Sequence, residues 1–230
     1  STGKHIVLLH TCCHNPTGGD LSEEQFEVLL KVFTKREDLF ALFDFAYQGF
    51  GRGVEEDAFA VRLFAQAGLP FAVCQSASKN CSMYGQRVGC LSIVVDSDSE
   101  KEKVEGVLTS IVIRRNYSNP PKYGAELVAR VMSNPQLKTA WLEELNEIRE
   151  RIGALRIQFV EALSGNGLGD RYAFIKNEIG MFSVLGTSAE QDAILRKEFG
   201  IYLPDGGRVA IPCLTASSTR YLAAAIARLN

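Results

Sequence analysis

The chain has 230 residues, 46% hydrophobic and 23% charged, the balance of an ordinary folded globular protein. A formal net charge of −2 and an isoelectric point near 6.0 leave no basic footprint for nucleic acid or an anionic membrane surface. No apolar run approaches the ~20 residues that span a bilayer, and Ser1-Thr2-Gly3-Lys4-His5 lacks the basic-then-apolar order of a signal peptide.

Strand and helix patterns alternate along the chain. A strand over 6–9 runs into His14-Asn15-Pro16-Thr17-Gly18. Ser22 and Gln25 then form a capping-box pair ahead of Phe26, Leu29, Leu30 and Phe33, which fall on one helical face. A strand over 39–43 ends in Asp44, with Tyr47 three residues further on. A helix near 57–67 and a strand over 71–75 follow, and the second opens into Ser76-Ala77-Ser78-Lys79. An apolar strand over 89–95 and helical patterns over 98–113 and 122–132 complete the first part. Strands separated by helices of this size imply βαβ units and a mainly parallel sheet.

After Asn134-Pro135 the pattern changes. Leu142, Leu145, Ile148, Ile152, Leu155, Phe159 and Leu163 recur three or four apart, one apolar face of a long helix. We read that helix as leading into a smaller α+β unit. Strands are predicted near 172–175, 180–185 and 209–211, and helices near 188–199 and 216–228. The fold class is therefore α/β, with a large domain over 1–147 and a small C-terminal domain over 148–230. The six cysteines show no framework spacing and read as small buried thiols of a reducing compartment, so a cytoplasmic location is expected, with an organelle left open.

The strand ends collect an amine, a carboxylate, a phenol and a carboxamide, and ligands of open α/β sheets bind at that edge. This set suits pyridoxal phosphate. Its aldehyde needs a lysine, which Lys79 supplies. Its ring nitrogen stays protonated beside a fixed carboxylate, here Asp44. Its ring oxygen wants donors, which Tyr47 and Asn15 provide, and its phosphate wants hydroxyls and a guanidinium, for which Ser76 and Arg87 are candidates. Each residue alone also fits a plain turn or a solvated surface; the argument lies in their order on successive strand ends.

His14-Asn-Pro-Thr-Gly18, Asp44-Phe-Ala-Tyr-Gln-Gly-Phe50, Ser76-Ala-Ser-Lys-Asn80, Arg87-Val-Gly89 and Asn116-Tyr-Ser-Asn-Pro-Pro121 resemble the fold-type-I pyridoxal-phosphate aminotransferases, and within them the aspartate and aromatic subgroup. The resemblance runs over essentially the whole chain. It implies that Lys79 joins the cofactor covalently, that Asp44 pairs with the ring N–H, and that Tyr47 and Asn15 contact the ring oxygen. It implies phosphate contacts for Ser76, Ser78 and Arg87, and a substrate α-carboxylate held by Arg208 with Phe182 nearby. Arg114 matches an arginine that reaches a neighbouring subunit's site and pairs with a dicarboxylic side chain, which implies a homodimer. The implied activity is ping-pong transamination between an amino acid, aspartate, glutamate or an aromatic one, and a 2-oxo acid such as 2-oxoglutarate. Members of this family are longer, so the chain is expected to correspond to their C-terminal portion.

Two other readings compete. His10, Cys12 and His14 share one face if their segment is extended, a weak zinc pattern without an evident fourth ligand. The chain is otherwise a truncated, catalytically incompetent fragment that acts only as a folded or dimerising module.

Overall fold

The computed structural model describes residues 3–229. The chain forms two compact units: residues up to Thr11 with Leu21–Glu143, and Cys12–Asp20 with residues from Glu144 onward. The change of unit, between Glu143 and Glu144, lies inside a long helix. The short Cys12–Asp20 stretch belongs with the second unit, although the sequence expectation keeps all of 1–147 together. The reason is local bonding: Gly18 O accepts from Ile179 N at 3.0 Å, and Gly180 packs so closely on Cys13 that a Cβ there would lie 2.4 Å from the Cys13 Cβ.

In the first unit, β1 (His5–His10), α1 (Glu23–Phe33), β2 (Leu39–Phe45), α2 (Phe59–Gln66), β3 (Phe71–Ser76) and β4 (Gly89–Val94) follow in order. The capping box forms as predicted: Gln25 N donates to Ser22 Oγ at 3.2 Å and Ser22 N to Gln25 Oε1 at 2.8 Å. The sheet order is β1-β2-β3-β4, with β1, β2 and β3 parallel and β4 antiparallel to β3. Strand alternation sends Ala41, Phe43, Phe45, Phe71 and Val73 to one buried face. There the Phe64 ring meets Phe33 and Phe43 edge-on, each at 5.1 Å, and Phe43 meets Phe71 at 5.7 Å. The opposite face is open, with Ile6, Leu8 and Leu91 exposed.

Helix α3 (Asp98–Val107) continues through a wide π turn, Leu108–Ile113, into α4 (Arg114–Asn116), and α5 (Tyr123–Ser133) precedes α6 (Pro135–Gly165). From Glu144 on, α6 buries Leu145, Ile152, Phe159, Val160 and Leu163 in the core of the second unit.

The stretch predicted as a strand near 172–175 is helical instead: α7 (Gly169–Tyr172) runs into a 3₁₀ turn, Ala173–Asn177. Tyr172 and Ile175 are the buried pair while Phe174 is exposed, a three-residue spacing that a helical turn satisfies and a strand does not. The second unit ends with β5 (Phe182–Val184), α8 (Ala189–Phe199), β6 (Arg208–Ala210) and α9 (Ala216–Ala227). β5 and β6 pair antiparallel, and capping boxes start α8 at Ser188 and α9 at Thr215. Among the described residues, no helix is long and apolar enough to cross a membrane.

Candidate active site

Topology brings the first group of residues to one edge of the first unit's sheet. β1, β2 and β3 run in register, so His10, Asp44 and Cys74 are adjacent Cα partners near their carboxyl ends. β3 ends at Ser76, and Lys79 follows in the turn beyond it. Because β4 runs antiparallel, its first residue, Gly89, pairs with Ser76, and Arg87 reaches the same edge from the opposite chain direction. This is the edge at which open α/β sheets bind ligands.

Within that edge the half-buried Lys79 amine stands 4.8 Å from the centre of the buried Tyr47 ring. Asp44 Oδ1 accepts from Ala46 N at 3.1 Å, and Oδ2 lies 4.0 Å from His10 Nε2. Sequence reasoning gave His10 no part in this chemistry and weighed it only as a metal ligand; the parallel register of β1 and β2 sets it beside Asp44. The Asp44 charge also acts on the neighbouring strand. Burial first and Asp44 second push the Cys74 thiol above its ordinary range. Ser78 is buried and its N–H donates to Ser76 Oγ at 3.2 Å.

The turn after Tyr47 is fixed by groups the sequence did not single out. The buried Asp57 carboxylate accepts from Gly49 N at 2.8 Å, Gly51 N at 3.1 Å and Arg52 N at 2.8 Å. Asn80 Nδ2 donates to Gln48 O at 3.3 Å, tying the lysine turn to the tyrosine turn. Trp141 Nε1 in turn donates to Asn80 O at 2.7 Å. An aspartate eight residues after Gly49 carries no sequence signal for this role; only the loop's return reveals it.

Two arginines of the first unit are not drawn into the cluster. Arg87 is exposed, left-handed at φ 53°, and its Nη1 donates to Tyr84 O at 2.9 Å. Arg114 is exposed on α4 and donates to Ser118 Oγ at 3.1 Å.

The second unit carries the remaining residues. Arg208 Nη1 donates to Asn15 Oδ1 at 2.9 Å, and its guanidinium lies 4.8 Å from the centre of the Phe182 ring. β5–β6 pairing sets Phe182 against Ala210 and Val184 against Arg208, so the ring and the guanidinium come from adjacent strands. The Asn15 turn is braced by Asp20, whose carboxylate accepts from Cys13 N at 2.5 Å and His14 N at 2.7 Å. His14 Nδ1 pairs with Thr17 Oγ1 at 2.8 Å. All six cysteines are free, and only Cys12 and Cys13 are buried; Cys81 is half-buried and Cys74, Cys90 and Cys213 are exposed, unlike the expected set of buried thiols. Among the described residues no group of three or more His, Cys, Asp or Glu side chains could hold a metal ion.

A mainly parallel α/β unit with lysine, carboxylate and phenol at one sheet edge, and an α+β unit presenting a paired arginine, define the aminotransferase architecture. The chain belongs to the aminotransferase class I and II family, whose model matches residues 1–226. It is 45% identical over 226 residues to an aspartate aminotransferase of Pseudomonas aeruginosa, covering 98% of this chain and 56% of that protein. It is also 45% identical over 224 residues to an aromatic-amino-acid aminotransferase of Escherichia coli, covering 97% of this chain and 56% of that protein. Among solved structures it matches, with a TM-score of 0.92 and 45% identity, an aromatic-amino-acid aminotransferase from Burkholderia pseudomallei covalently bound to pyridoxal phosphate, covering 99% of this chain and 56% of the other. The chain thus spans little more than half the length of the relatives it matches.

Proposed function

We propose that the protein to which this chain belongs is a pyridoxal-phosphate-dependent aminotransferase that exchanges an amino group between an amino acid and a 2-oxo acid. The observation that carries the reading is the approach of the Lys79 amine to the Tyr47 ring, at 4.8 Å, on the sheet edge that also bears Asp44 and Ser76. The donor set at the sheet edge fits the cofactor: an amine for its aldehyde, a carboxylate for its ring nitrogen, a phenol for its ring oxygen and the Ser76 and Ser78 hydroxyls for its phosphate, while the Arg87 guanidinium is turned to Tyr84 O.

When bound, pyridoxal 5′-phosphate supplies an aldehyde that joins amino groups and a ring that accepts the electrons left by a departing Cα proton. The chain's own residues do the rest. Lys79 Nζ would hold the cofactor through its aldehyde, and the free amine would take the proton from the substrate Cα as general base. Asp44, oriented by Ala46 N and with His10 beside it, would keep a proton on the ring nitrogen. Tyr47 and Asn15 would donate to the ring oxygen. Ser76 and Ser78 would bind the phosphate, and Arg87 would join them by turning its guanidinium from Tyr84 O. Arg208 grips the α-carboxylate in a two-pronged contact, with Phe182 against its face, so that the Cα–H is aligned before it reacts.

The same reading gives Arg114 to a side-chain carboxylate in a second copy of the protein. Its exposure, together with that of Val107, Ile111, Val112 and Tyr117 on the same stretch, supports a homodimer. Relatives named for aspartate and for aromatic amino acids match at the same 45% identity, which supports aspartate or glutamate as substrate with aromatic amino acids as a further class. A second reading concerns the 230 residues taken alone, as a folded module without turnover; the exposed Ile6, Leu8 and Leu91 on the open sheet face favour it.

One experiment addresses these together. The full-length protein and the 230-residue chain are each mixed with pyridoxal phosphate, followed by absorption and by borohydride trapping, with and without Lys79→Ala. Aspartate, phenylalanine and tyrosine are then compared in a 2-oxoglutarate-coupled assay. A lysine-dependent band with turnover in the full-length protein is the expected result. A band that persists in Lys79→Ala rejects the assignment. Arg114→Ala is expected to cost aspartate more than the aromatic substrates, and equal losses reject its role.

A further inference from the structure

We propose that Arg156 is a positioning residue for the carboxylate-binding corner of the second unit: its buried guanidinium fixes the Gly180–Ser183 backbone and, through it, the Phe182–Arg208–Asn15 set. The proposal rests on the reading of Arg208 as the group that grips the substrate carboxylate. No sequence signal gave Arg156 a role; it sits in the apolar stripe of α6, between Ile152 and Phe159, where an unpaired charge would be costly.

Arg156 is 3% exposed and donates twice from each Nη atom. Nη2 donates to Gly180 O at 2.7 Å and to Phe182 O at 3.1 Å. Nη1 donates to Glu178 Oε2 at 3.2 Å and to Ser183 Oγ. Ser183 Oγ donates in turn to Glu178 Oε2 at 2.5 Å, so the carboxylate is shared by two donors. One side chain therefore clamps two carbonyls and two side chains of a six-residue segment. Only an arginine offers donors in that geometry.

That segment is the common base of the corner. Phe182, whose carbonyl Arg156 holds, presents its ring to Arg208. Met181 O accepts from Ile211 N at 2.9 Å, which pins the end of the strand bearing Arg208. Ile179 N donates to Gly18 O, and a Cβ at Gly18 would lie 2.3 Å from Phe182 O, so the Asn15 turn rests on the same backbone. Both neighbours of the Arg208 guanidinium thus trace back to one buried clamp. Burial pulls the Arg156 pKa down and the Glu178 pKa up, each against the attraction between the two. A pair whose desolvation outweighs its attraction contributes geometry more than stability.

The test uses the full-length protein with Arg156→Met, Arg156→Lys, and Arg156→Met combined with Glu178→Gln, the last leaving no unpaired buried charge if the single variants fail to fold. Maleate, an unreactive dicarboxylate, reports carboxylate binding; the lysine-dependent cofactor band reports the first unit. The expected result is a folded Arg156→Met/Glu178→Gln protein with an unaltered cofactor band. Its maleate Kd and amino-acid KM rise on the order of tenfold to a hundredfold, since misplacing a positioning group by about 1 Å costs that much. Arg156→Lys is expected not to rescue. In an Arg208→Ala background the same double substitution is expected to add little further loss, because the clamp acts through Arg208. Unchanged maleate binding in the folded double variant, rescue by lysine, or an undiminished effect without Arg208 would each overturn the proposal alone. Failure of the unsubstituted protein to bind any carboxylate would overturn the reading of Arg208 and the proposal with it.

Discussion

Asp57 offers a direct measure of how the Tyr47 turn is built. Its carboxylate is 2% exposed and accepts three backbone N–H bonds, from Gly49, Gly51 and Arg52. Asp57→Ala deletes all three. Arg52 is exposed and its N–H rehydrates, whereas Gly49 is buried and Gly51 half-buried. A hydrogen bond to a charged group contributes about 1.5–3 kcal/mol, and the carboxylate's own burial cost disappears with it, so the net loss is about 3 kcal/mol. The assay is urea unfolding followed by tryptophan fluorescence. Trp141 is the single tryptophan, lies in the first unit and is bonded to Asn80, so the signal reports this unit. Asp57→Asn keeps one acceptor oxygen and turns an amide NH₂ toward at least one N–H, and it is expected to lose most of the same stability. A loss under about 1 kcal/mol for Asp57→Ala, the size of an ordinary polar contact, would refute the account.

Other outcomes follow from single contacts. Phe64 is fully buried and meets three rings edge-on, so Phe64→Ala is expected to destabilise the first unit by about 3–5 kcal/mol in the same unfolding assay. Gly180→Ala puts a Cβ 2.4 Å from the Cys13 Cβ at a φ of +79°, and calorimetry is expected to show at least the ~1–3 kcal/mol penalty of a non-glycine residue in that region. Gly153→Ala is the control: exposed in α6 with open space around its Cβ, it is expected to stabilise by about 0.8–1.0 kcal/mol. Cys74, with its pKa raised, is expected to react with a maleimide at pH 8 more slowly than a free thiol, because less of it is thiolate. Asp44→Asn removes one of the two causes and is expected to speed that reaction, read by peptide mapping; an unchanged rate would show that the carboxylate does not act on the thiol.

The order of strands and helices was legible because local physics encodes it. Alternating or continuous apolar runs read as the four strands, the Ser22–Gln25 pair marked the start of α1, and three-to-four spacing read as α6. Lys79, Asp44 and Tyr47 could be named because a strand end is a one-dimensional feature, and a reactive residue just beyond it is visible in the string. The misread stretch at 172–175 was short and wholly apolar, where periods of two and three compete and only burial of Tyr172 and Ile175 decides.

What the string could not contain are partnerships between distant residues. That His10 stands beside Asp44 depends on parallel register; that Asp57 caps the Tyr47 turn depends on a loop folding back; that Arg156 reaches Gly180 and Phe182 depends on where α6 packs. Sequence alone settled which chemical groups sit at the ends of which elements, since propensity and patterning act between neighbours. The tertiary structure alone settled what orients those groups, because a buried donor takes whichever acceptor packing brings within 3 Å or so, however far away it lies along the chain.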